Sequence, residues 1–191
     1  MLIKYCSHCG AKITQQIPDG DQKLRHVCSQ CDTIHYLNPK IITGCLIEHE
    51  DKVLLCRRAI DPQHGKWTLP AGFMENNESC IEGALRETRE EANAEVCEAQ
   101  LYCVYDIPHI SQVYMIYRAR LNSLNFFPGD ESIDVRLFDK DSIPWKELAF
   151  SVMRETLISY FNDRKTNSYQ LHTGIITAEM KSLLNVKPEG I

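Results

Sequence analysis

The chain has 191 residues, of which 25% are charged and 43% hydrophobic, and its formal net charge is −5. These values are typical of a globular protein with one domain of ordinary size and a small appendage. The acidic balance argues against broad nucleic-acid binding, which requires a basic surface. No apolar run approaches the roughly 18 residues of a membrane span, and no N-terminal segment resembles a signal peptide, so we expect a cytoplasmic protein with no membrane partner.

Four of the nine cysteines form two CxxC pairs, Cys6–Cys9 and Cys28–Cys31, which are separated by 18 residues. This spacing predicts a four-cysteine structural zinc site in a zinc ribbon over residues 1–36. A Pro-Asp-Gly-Asp turn at residues 18–21 predicts a β-hairpin between the pairs. A segment this short buries too little apolar surface to fold alone, so bound Zn²⁺ would supply the folding free energy.

The remaining histidines and cysteines are not expected to bind this metal. Four thiolates already complete a tetrahedral site, which leaves His8, His26 and His35 as non-ligands. Five further cysteines are scattered among apolar residues and are expected to be buried thiols: Cys45, Cys56, Cys80, Cys97 and Cys103. An odd number of cysteines without a signal peptide fits a reducing compartment.

The main domain is predicted over residues 37–165, followed by a tail over 166–191. Residues 41–59 are expected to form a β-hairpin. Strands are predicted within residues 94–108, 109–121 and 134–140, a helix over residues 145–164, and a short strand within residues 171–177.

Residues 79–93 predict an amphipathic helix that carries a dense set of acids. Ser79 with Glu82 forms a capping-box sequence at its start, and Asn93 can adopt the left-handed conformation at its end. The stripe expected to pack on the core consists of Ile81, Ala84, Leu85, Thr88 and Ala92. At 3.6 residues per turn, Glu87, Glu90 and Glu91 cluster on the flank beside that stripe.

The stability of the helix does not explain why these three acids cluster on one flank. Like charges one turn apart repel each other, and Glu90 and Glu91 also oppose the helix dipole. A hard divalent cation such as Mg²⁺ would relieve the repulsion because it prefers oxygen ligands. The alternative for a charge run by itself is a solvated acidic surface.

The surrounding residues favour the metal site. The spacing G-x5-E-x7-R-E-x-x-E-E, which runs from Gly72 through Glu78 and Arg86 to Glu91, resembles the Nudix box. This sequence departs from that pattern at Thr88, Asn93 and Ala94. The resemblance implies an α/β fold, a mixed sheet in an α/β/α sandwich preceded by the ribbon. It also implies hydrolysis of a nucleoside diphosphate linked to another group.

The resemblance also assigns roles to the acids. Glu87 and Glu91 would be the main ligands of Mg²⁺ or Mn²⁺, and Glu90 would share ligation or act as the general base. The bend at Gly72 would direct backbone groups at the metal.

Two further charged residues would support this helix. Arg86 would hold the helix acids by ion pairing, although a surface salt bridge is the alternative. Glu78 is expected to be structural.

A second acid is a candidate for the general base. Residues 127–132 form a loop before a strand, and some relatives of this fold take their base from such a loop. Glu131 is the candidate, Asp130 competes with it, and a solvated loop acid is the alternative.

The substrate is inferred from longer stretches. A ribbon before this domain resembles NADH pyrophosphatases, but their SQPWPFP-type motif is absent. Residues 38–60, 64–75, 106–121 and 143–151 look closer to plant chloroplast FAD and ADP-ribose pyrophosphatases. We therefore expect ADP-ribose, giving AMP and ribose 5-phosphate, or FAD, giving AMP and FMN. Stacking candidates, each of which could equally belong to the core, are Trp67, Phe73, Tyr102 and Tyr105.

Two alternatives come from other functional classes. One is a cap-type RNA hydrolase that docks RNA through the ribbon, although nucleic acid is not the expected partner of an acidic chain. The other is a catalytically silent nucleotide sensor, which the intact acids argue against. Relatives commonly dimerise, so the resemblance implies a homodimer.

Overall fold

The structure, a computed structural model, describes residues 3–185 and 187–188. The chain divides into two compact units between Asn38 and Pro39. No helix in the described part of the chain has the length and apolar character needed to cross a membrane.

The first unit is built on a three-stranded antiparallel sheet of order β1-β2-β3. The strands are β1 (Ile13–Gln16), β2 (Arg25–Cys28) and β3 (Ile34–His35). The predicted hairpin is confirmed by the pairing of β1 with β2, and the Asp21 amide donates to the Pro18 carbonyl at 3.0 Å to close the predicted turn. The hairpin brings the two CxxC segments to the same end of the unit.

The second unit contains one mixed sheet of eight strands. Its order is β10-β5-β4-β9-β8-β11, with β6 paired to β5 and β7 paired to β4. The strands are β4 (Lys40–His49), β5 (Lys52–Arg58), β6 (Trp67–Thr68), β7 (Ala71–Phe73), β8 (Val96–Ile107), β9 (Gln112–Leu121), β10 (Ser132–Asp139) and β11 (His172–Ile175). The β4–β9 and β8–β11 pairs are parallel, and the other pairs are antiparallel. The predicted β4–β5 hairpin and the short strand in the tail are confirmed.

Two helices, α1 (Cys80–Ala92) and α2 (Ser151–Thr166), cover the sheet. Successive residues of a strand point to opposite faces, so β4 contributes to two cores. Cys45 and Ile47 pack with Ala84 and Ala92 of α1. Leu46 packs in the other core, which includes Val152, Met153 and Leu157 of α2. The expected α/β/α sandwich with a mixed sheet is therefore confirmed.

The predicted helix over residues 145–164 begins later than expected. Trp145–Glu147 form a single 3₁₀ turn, Leu148 is extended, and α2 starts at Ser151. Leu148 forms a β-bridge with Trp67, and the Ala149 amide donates to the Trp67 carbonyl at 2.8 Å. Sheet pairing therefore overrides the helical propensity of this segment.

The five cysteines outside the ribbon are free thiols of different exposure. Cys45, Cys56 and Cys103 are buried, as predicted, and burial raises the pKa of the Cys45 thiol to about 11. Cys80 is partly exposed. The prediction is wrong for Cys97, which is exposed near the start of β8 because that end of the strand carries polar neighbours.

Candidate functional site

The sulfur atoms of Cys6, Cys9, Cys28 and Cys31 converge in the first unit, where all four lie within 4.8 Å of one another. The Cys6–Cys31 sulfur separation is 3.8 Å and the Cys9–Cys28 separation is 3.4 Å. A tetrahedral zinc ion with bonds of about 2.3 Å requires sulfur separations of about 3.8 Å, so these four residues fit Zn²⁺.

The ribbon also supplies hydrogen bonds to these sulfurs. The backbone amide of His8 donates to Cys6 Sγ at 3.3 Å, and that of Gln30 donates to Cys28 Sγ at 3.4 Å. The ring nitrogen Nε2 of His35 lies 3.3 Å from Cys6 Sγ. Such partners orient thiolates around a metal without binding it.

The acidic helix of the second unit is fixed at both ends by its caps. Ser79 accepts a hydrogen bond from the Glu82 amide, and the Glu82 side chain accepts one from the Ser79 amide. Asn93 ends the helix in the left-handed conformation, with φ of 47°. Both predicted caps are confirmed, and they set which residues face the sheet.

The buried face of α1 differs from the predicted stripe. Its buried residues are Gly83, Ala84, Thr88, Glu91 and Ala92, whereas Ile81 and Leu85 are only partly buried. Gly83 allows this close approach, because a Cβ there would lie 2.7 Å from Thr43 Cγ2 of β4. The helix is therefore rotated so that Glu91 enters the buried face, where only 5% of the residue is exposed.

Arg86 holds the other acids of the helix. Its guanidinium donates to Glu78 at 2.8 Å, Glu87 at 2.7 Å and Glu90 at 2.9 Å. It also donates to the carbonyl of Phe73 at 3.1 Å, and Glu78 accepts from the Glu75 amide at 2.7 Å. The Arg86 guanidinium lowers the pKa of Glu78 to about 2. These contacts tie the loop before α1 to the middle of the helix.

Glu91 has no such cation and takes part in none of the ion pairs between described residues. Burial, together with the charges of Glu87 and Glu131, raises the pKa of its carboxyl to about 8, against the opposing effects of Arg58 and of a hydrogen bond from the Ala71 backbone. Burial, opposed by Arg86, also raises the pKa of Glu87. The site therefore holds a buried carboxyl group whose charged form is only partly compensated.

The loop before β10 brings Glu131 to these acids. The amides of Phe127 and Gly129 donate to the carbonyls of Ala92 and Glu91, both at 3.0 Å. A Cβ at Gly129 would lie 1.7 Å from the Glu90 carbonyl oxygen, so only glycine allows this approach. The loop thereby satisfies the last carbonyls of α1 and sets Glu131 within the electrostatic range of Glu87 and Glu91.

Asn93 strengthens this attachment in a way that the sequence did not reveal. Its side-chain amide lies 3.3 Å from the Phe127 carbonyl and 3.4 Å from the Pro128 carbonyl, and it donates to both. A glycine at this position could adopt the same backbone conformation but could not make these contacts. The departure from the family pattern at Asn93 therefore adds a contact between the helix and the Glu131 loop.

A cavity of about 1040 Å³ opens beside the acids. Its walls include the predicted site residues Gly72, Arg86, Glu87, Glu90, Glu91, Asp130 and Glu131, and the cations Arg58 and Arg89. Glu78 is not among its lining residues; it supports the site through Arg86. Arg58 was not among the predicted site residues, although its position at the end of the apolar strand β5 was a usable signal.

One of the four stacking candidates faces this cavity. Trp67, Tyr102 and Tyr105 are buried in the core, whereas Phe73 lines the cavity and is 49% exposed. The Lys40 ammonium lies 4.8 Å from the centre of the Phe73 ring. Phe73 therefore presents an aromatic surface that a base or other planar ring can contact.

The acids fit a hard divalent cation by their chemistry. Glu87 and Glu91 line the same cavity, and the charge of Glu87 raises the pKa of Glu91. The backbone of Gly72 adjoins Glu87, since a Cβ on Gly72 would lie 2.3 Å from Glu87 Oε1. In the described part of the chain, only the four cysteines already form a closed set of ligand atoms. The Glu90 carboxylate, by contrast, is 58% exposed and rests on Arg86.

Comparison with known proteins identifies the family. Residues 38–158 match the NUDIX domain model, and residues 4–37 match the zinc-ribbon model described as Nudix N-terminal. The chain therefore belongs to the Nudix hydrolases, divalent-metal-dependent enzymes, and carries their N-terminal zinc ribbon.

Individual relatives refine this comparison. The chain is 56% identical to a NUDIX hydrolase of known crystal structure from Nitrosomonas europaea, with a TM-score of 0.88 over 92% of this chain and 99% of that one. It is 31% identical to an ADP-ribose pyrophosphatase from Methanocaldococcus jannaschii, over 60% of this chain and 69% of the relative. It is 28% identical to the NAD-capped RNA hydrolase NudC from Pseudomonas aeruginosa, over 84% of this chain but 56% of that protein.

The four-thiolate site predicts that the ribbon depends on zinc. Replacing one ligand in Cys28→Ser should remove about one equivalent of zinc per chain and unfold the ribbon, because the metal supplies its folding free energy. Metal analysis and amide hydrogen exchange of residues 12–35 measure both effects. Cys97→Ser, outside the ribbon, should retain the zinc. A purified parent with reduced cysteines and no zinc would contradict the assignment.

The raised pKa of Glu91 predicts how stability depends on pH without added Mg²⁺. Between its ordinary pKa near 4.5 and its folded pKa of about 8, the folded state binds more protons than the unfolded state. The free energy of unfolding should therefore fall, by on the order of 2 kcal/mol, as pH rises from about 5 to about 8.

Urea denaturation at a series of pH values, with zinc retained, measures this slope. Glu91→Gln should reduce it, whereas Glu95→Gln, an exposed acid just beyond the helix, should keep it. Equal slopes in the parent and Glu91→Gln would show that Glu91 does not hold the extra proton.

Proposed function

We propose that this protein hydrolyses the diphosphate bond of a nucleoside diphosphate-linked compound, with ADP-ribose or FAD as substrate. ADP-ribose would give AMP and ribose 5-phosphate, and FAD would give AMP and FMN. The observation that carries the proposal is the buried carboxyl of Glu91, only partly compensated, which lies near Glu87 and Glu131 on a large cavity that Arg58 and Arg89 also line.

Glu87 and Glu91 would hold Mg²⁺ or Mn²⁺, and Gly72 would allow its backbone to approach the same site. When bound, the cation would neutralise diphosphate oxygens and lower the pKa of a bound water. Arg86 keeps Glu87 oriented through its 2.7 Å ion pair. Arg58 and Arg89, both on the cavity wall, would attract the anionic diphosphate.

The general base is assigned to Glu131 in preference to Glu90. Glu90 accepts a hydrogen bond from Arg86 at 2.9 Å, so its carboxylate is already engaged by the guanidinium. Glu131 faces the same cavity and lies near the like charges of Glu87 and Glu91. It would remove a proton from the attacking water.

The nucleoside would bind on the exposed side of the cavity. Phe73 offers its ring for stacking, and Lys40 beside it adds a positive charge. The proposal of ADP-ribose as substrate is supported by the similarity to the ADP-ribose pyrophosphatase from Methanocaldococcus jannaschii. The FAD reading draws on the resemblance of several segments to plant chloroplast-type enzymes.

A second candidate function is hydrolysis of NADH or of an NAD-type cap on RNA. The observation that favours it is that the alignment with the NudC relative spans 84% of this chain. The first unit carries Lys4, Lys12, Lys23 and Arg25 against three acids, so its own charge is slightly positive. Binding of RNA that weakens steeply with salt would support this candidate.

A substrate panel tests the proposed function. Zinc-loaded enzyme with Mg²⁺ or Mn²⁺ is offered ADP-ribose, FAD, NADH, NAD⁺ and NAD-capped RNA, and products are resolved by mass. We expect cleavage at the diphosphate, with ADP-ribose or FAD giving the highest kcat/KM. A higher kcat/KM for NADH or capped RNA would select the second candidate, and no diphosphate cleavage would reject both.

Variants of the acids test the site on the best substrate. Glu87→Gln and Glu91→Gln should each lower kcat/KM at least about 100-fold, because metal-ion stabilisation of the transition state is lost. Glu131→Gln should lower kcat by roughly 100-fold without weakening Mg²⁺ binding, and Glu90→Gln should cost less. The reverse order for Glu131 and Glu90 would move the base to Glu90, and full activity of both Glu87→Gln and Glu91→Gln would reject the site.

The oligomeric state is a separate proposal. A homodimer is implied by the family resemblance, and analytical ultracentrifugation of the zinc-loaded chain tests it. A monomer at the concentrations used for activity would contradict it and would leave the assignment of the acids unaffected.

A further inference from the structure

A second cavity, of about 420 Å³, lies beside the first one in the second unit. Four residues line both cavities: Pro62, Ile110, Tyr114 and Phe150. The acids, Phe73 and the arginines line the first cavity alone. The two cavities therefore adjoin at these residues.

The second cavity is created by the interruption between the 3₁₀ turn and α2. Because Leu148 and Ala149 pair with β6 instead of continuing a helix, a gap is left in front of the first turn of α2. The end of β8 and the chain after β11 close the other sides. A volume of about 420 Å³ lies within the usual range of ligand-binding cavities.

The two halves of this cavity differ in chemistry. Its deep part consists of apolar side chains, namely Ile107, Leu148, Ala149, Val152, Ile176 and Leu184. Its rim carries hydrogen-bond donors at Gln63, Lys66 and Lys146, and Lys66 Nζ lies 3.3 Å from the Lys146 carbonyl. The cavity thus has an apolar floor and a polar, partly cationic opening.

This division fits an uncharged ring with one polar edge. A sugar phosphate would lose hydrogen bonds to water on the apolar floor, which costs free energy without replacement partners. A cationic ring would be repelled by the two lysines at the rim. A flavin ring, or the nicotinamide of NADH, places carbon atoms on one side and carbonyl groups on the other.

The sheet also sets the distance between Phe73, the proposed stacking site in the first cavity, and Tyr114, at the edge of the second cavity. Phe73 pairs with Ile42, and Ile42 pairs with Tyr114, so the three residues lie on adjacent strands in one row. Two strand spacings of about 4.8 Å put Phe73 and Tyr114 roughly 10 Å apart. One ring of a dinucleotide can therefore stack on Phe73 while the other enters behind Tyr114.

We propose that the second cavity is a subsite for the uncharged second ring of a dinucleotide, which would make a dinucleotide a better substrate than ADP-ribose. The proposal deepens the proposed function and rests on it for the position of the diphosphate. ADP-ribose ends in a hydroxylated ribose and has no second planar ring system to fill this cavity.

Two exposed threonines provide a matched test. Thr177 lines the second cavity, whereas Thr173, four residues earlier on β11, lines neither cavity. Thr177→Trp should fill the opening, and Thr173→Trp carries the same change outside the cavity. Thr177→Val, which removes the hydrogen bond between Thr177 and Glu179 without adding bulk, controls for the loss of that contact. In the zinc-loaded enzyme, Thr177→Trp should lower kcat/KM for FAD and NADH by roughly tenfold or more but leave ADP-ribose within about twofold.

Riboflavin tests the cavity without a diphosphate. Its fluorescence should be quenched on binding to the parent and to Thr173→Trp, and roughly tenfold weaker binding is expected for Thr177→Trp. Equal riboflavin affinity in Thr177→Trp and Thr173→Trp would overturn the subsite. So would a loss of kcat/KM in Thr177→Trp that is as large on ADP-ribose as on FAD and NADH. If no compound in the panel is hydrolysed, the proposed function fails, and the riboflavin titration still decides whether the cavity binds a ring.

Discussion

The buried carboxyl of Glu91 is the constraint on which the rest of the site depends. It lies in the sheet-facing side of α1 with 5% exposure and near the charges of Glu87 and Glu131, so ionisation is unfavourable in the protein alone. A divalent cation would reverse that balance, because it supplies the charge that the buried group lacks. In the proposed site, the cost of burying this acid would be offset only when a cation is bound.

The surrounding structure holds the acids in place against their repulsion. Arg86 is bonded to Glu78, Glu87 and Glu90, which fixes the loop before α1 to the helix. At the other end, the amides of Phe127 and Gly129 bind the last carbonyls of α1 and deliver Glu131. Two close approaches, at Gly72 and Gly129, leave no room for a side chain. The acids are therefore positioned by contacts on both sides of the helix.

Much of this arrangement follows from local sequence patterns. The capping box at Ser79, the left-handed Asn93 and the two CxxC pairs predict structures that depend on few residues close in the chain, and the structure has them. The hairpin of β4 and β5 follows from alternation of apolar residues in the same way.

Features that depend on contacts between residues far apart in the chain could not be predicted from the sequence. The rotation of α1 that buries Glu91 requires the packing of Gly83 on Thr43, and the start of α2 is delayed by pairing of Leu148 with Trp67. The side chain of Asn93 acts through contacts with the carbonyls of Phe127 and Pro128, more than 30 positions away. Each depends on tertiary packing, which a periodic pattern does not encode.

The most direct test is the binding of Mn²⁺ to the zinc-loaded protein, followed by electron paramagnetic resonance. The parent and Glu95→Gln should bind with the same affinity, and Glu91→Gln should bind at least about tenfold more weakly, because this variant lacks a carboxylate that the proposed site uses as a ligand. Equal Mn²⁺ affinity in the parent and in Glu91→Gln would contradict the account, since the buried acid would then have no part in holding the cation.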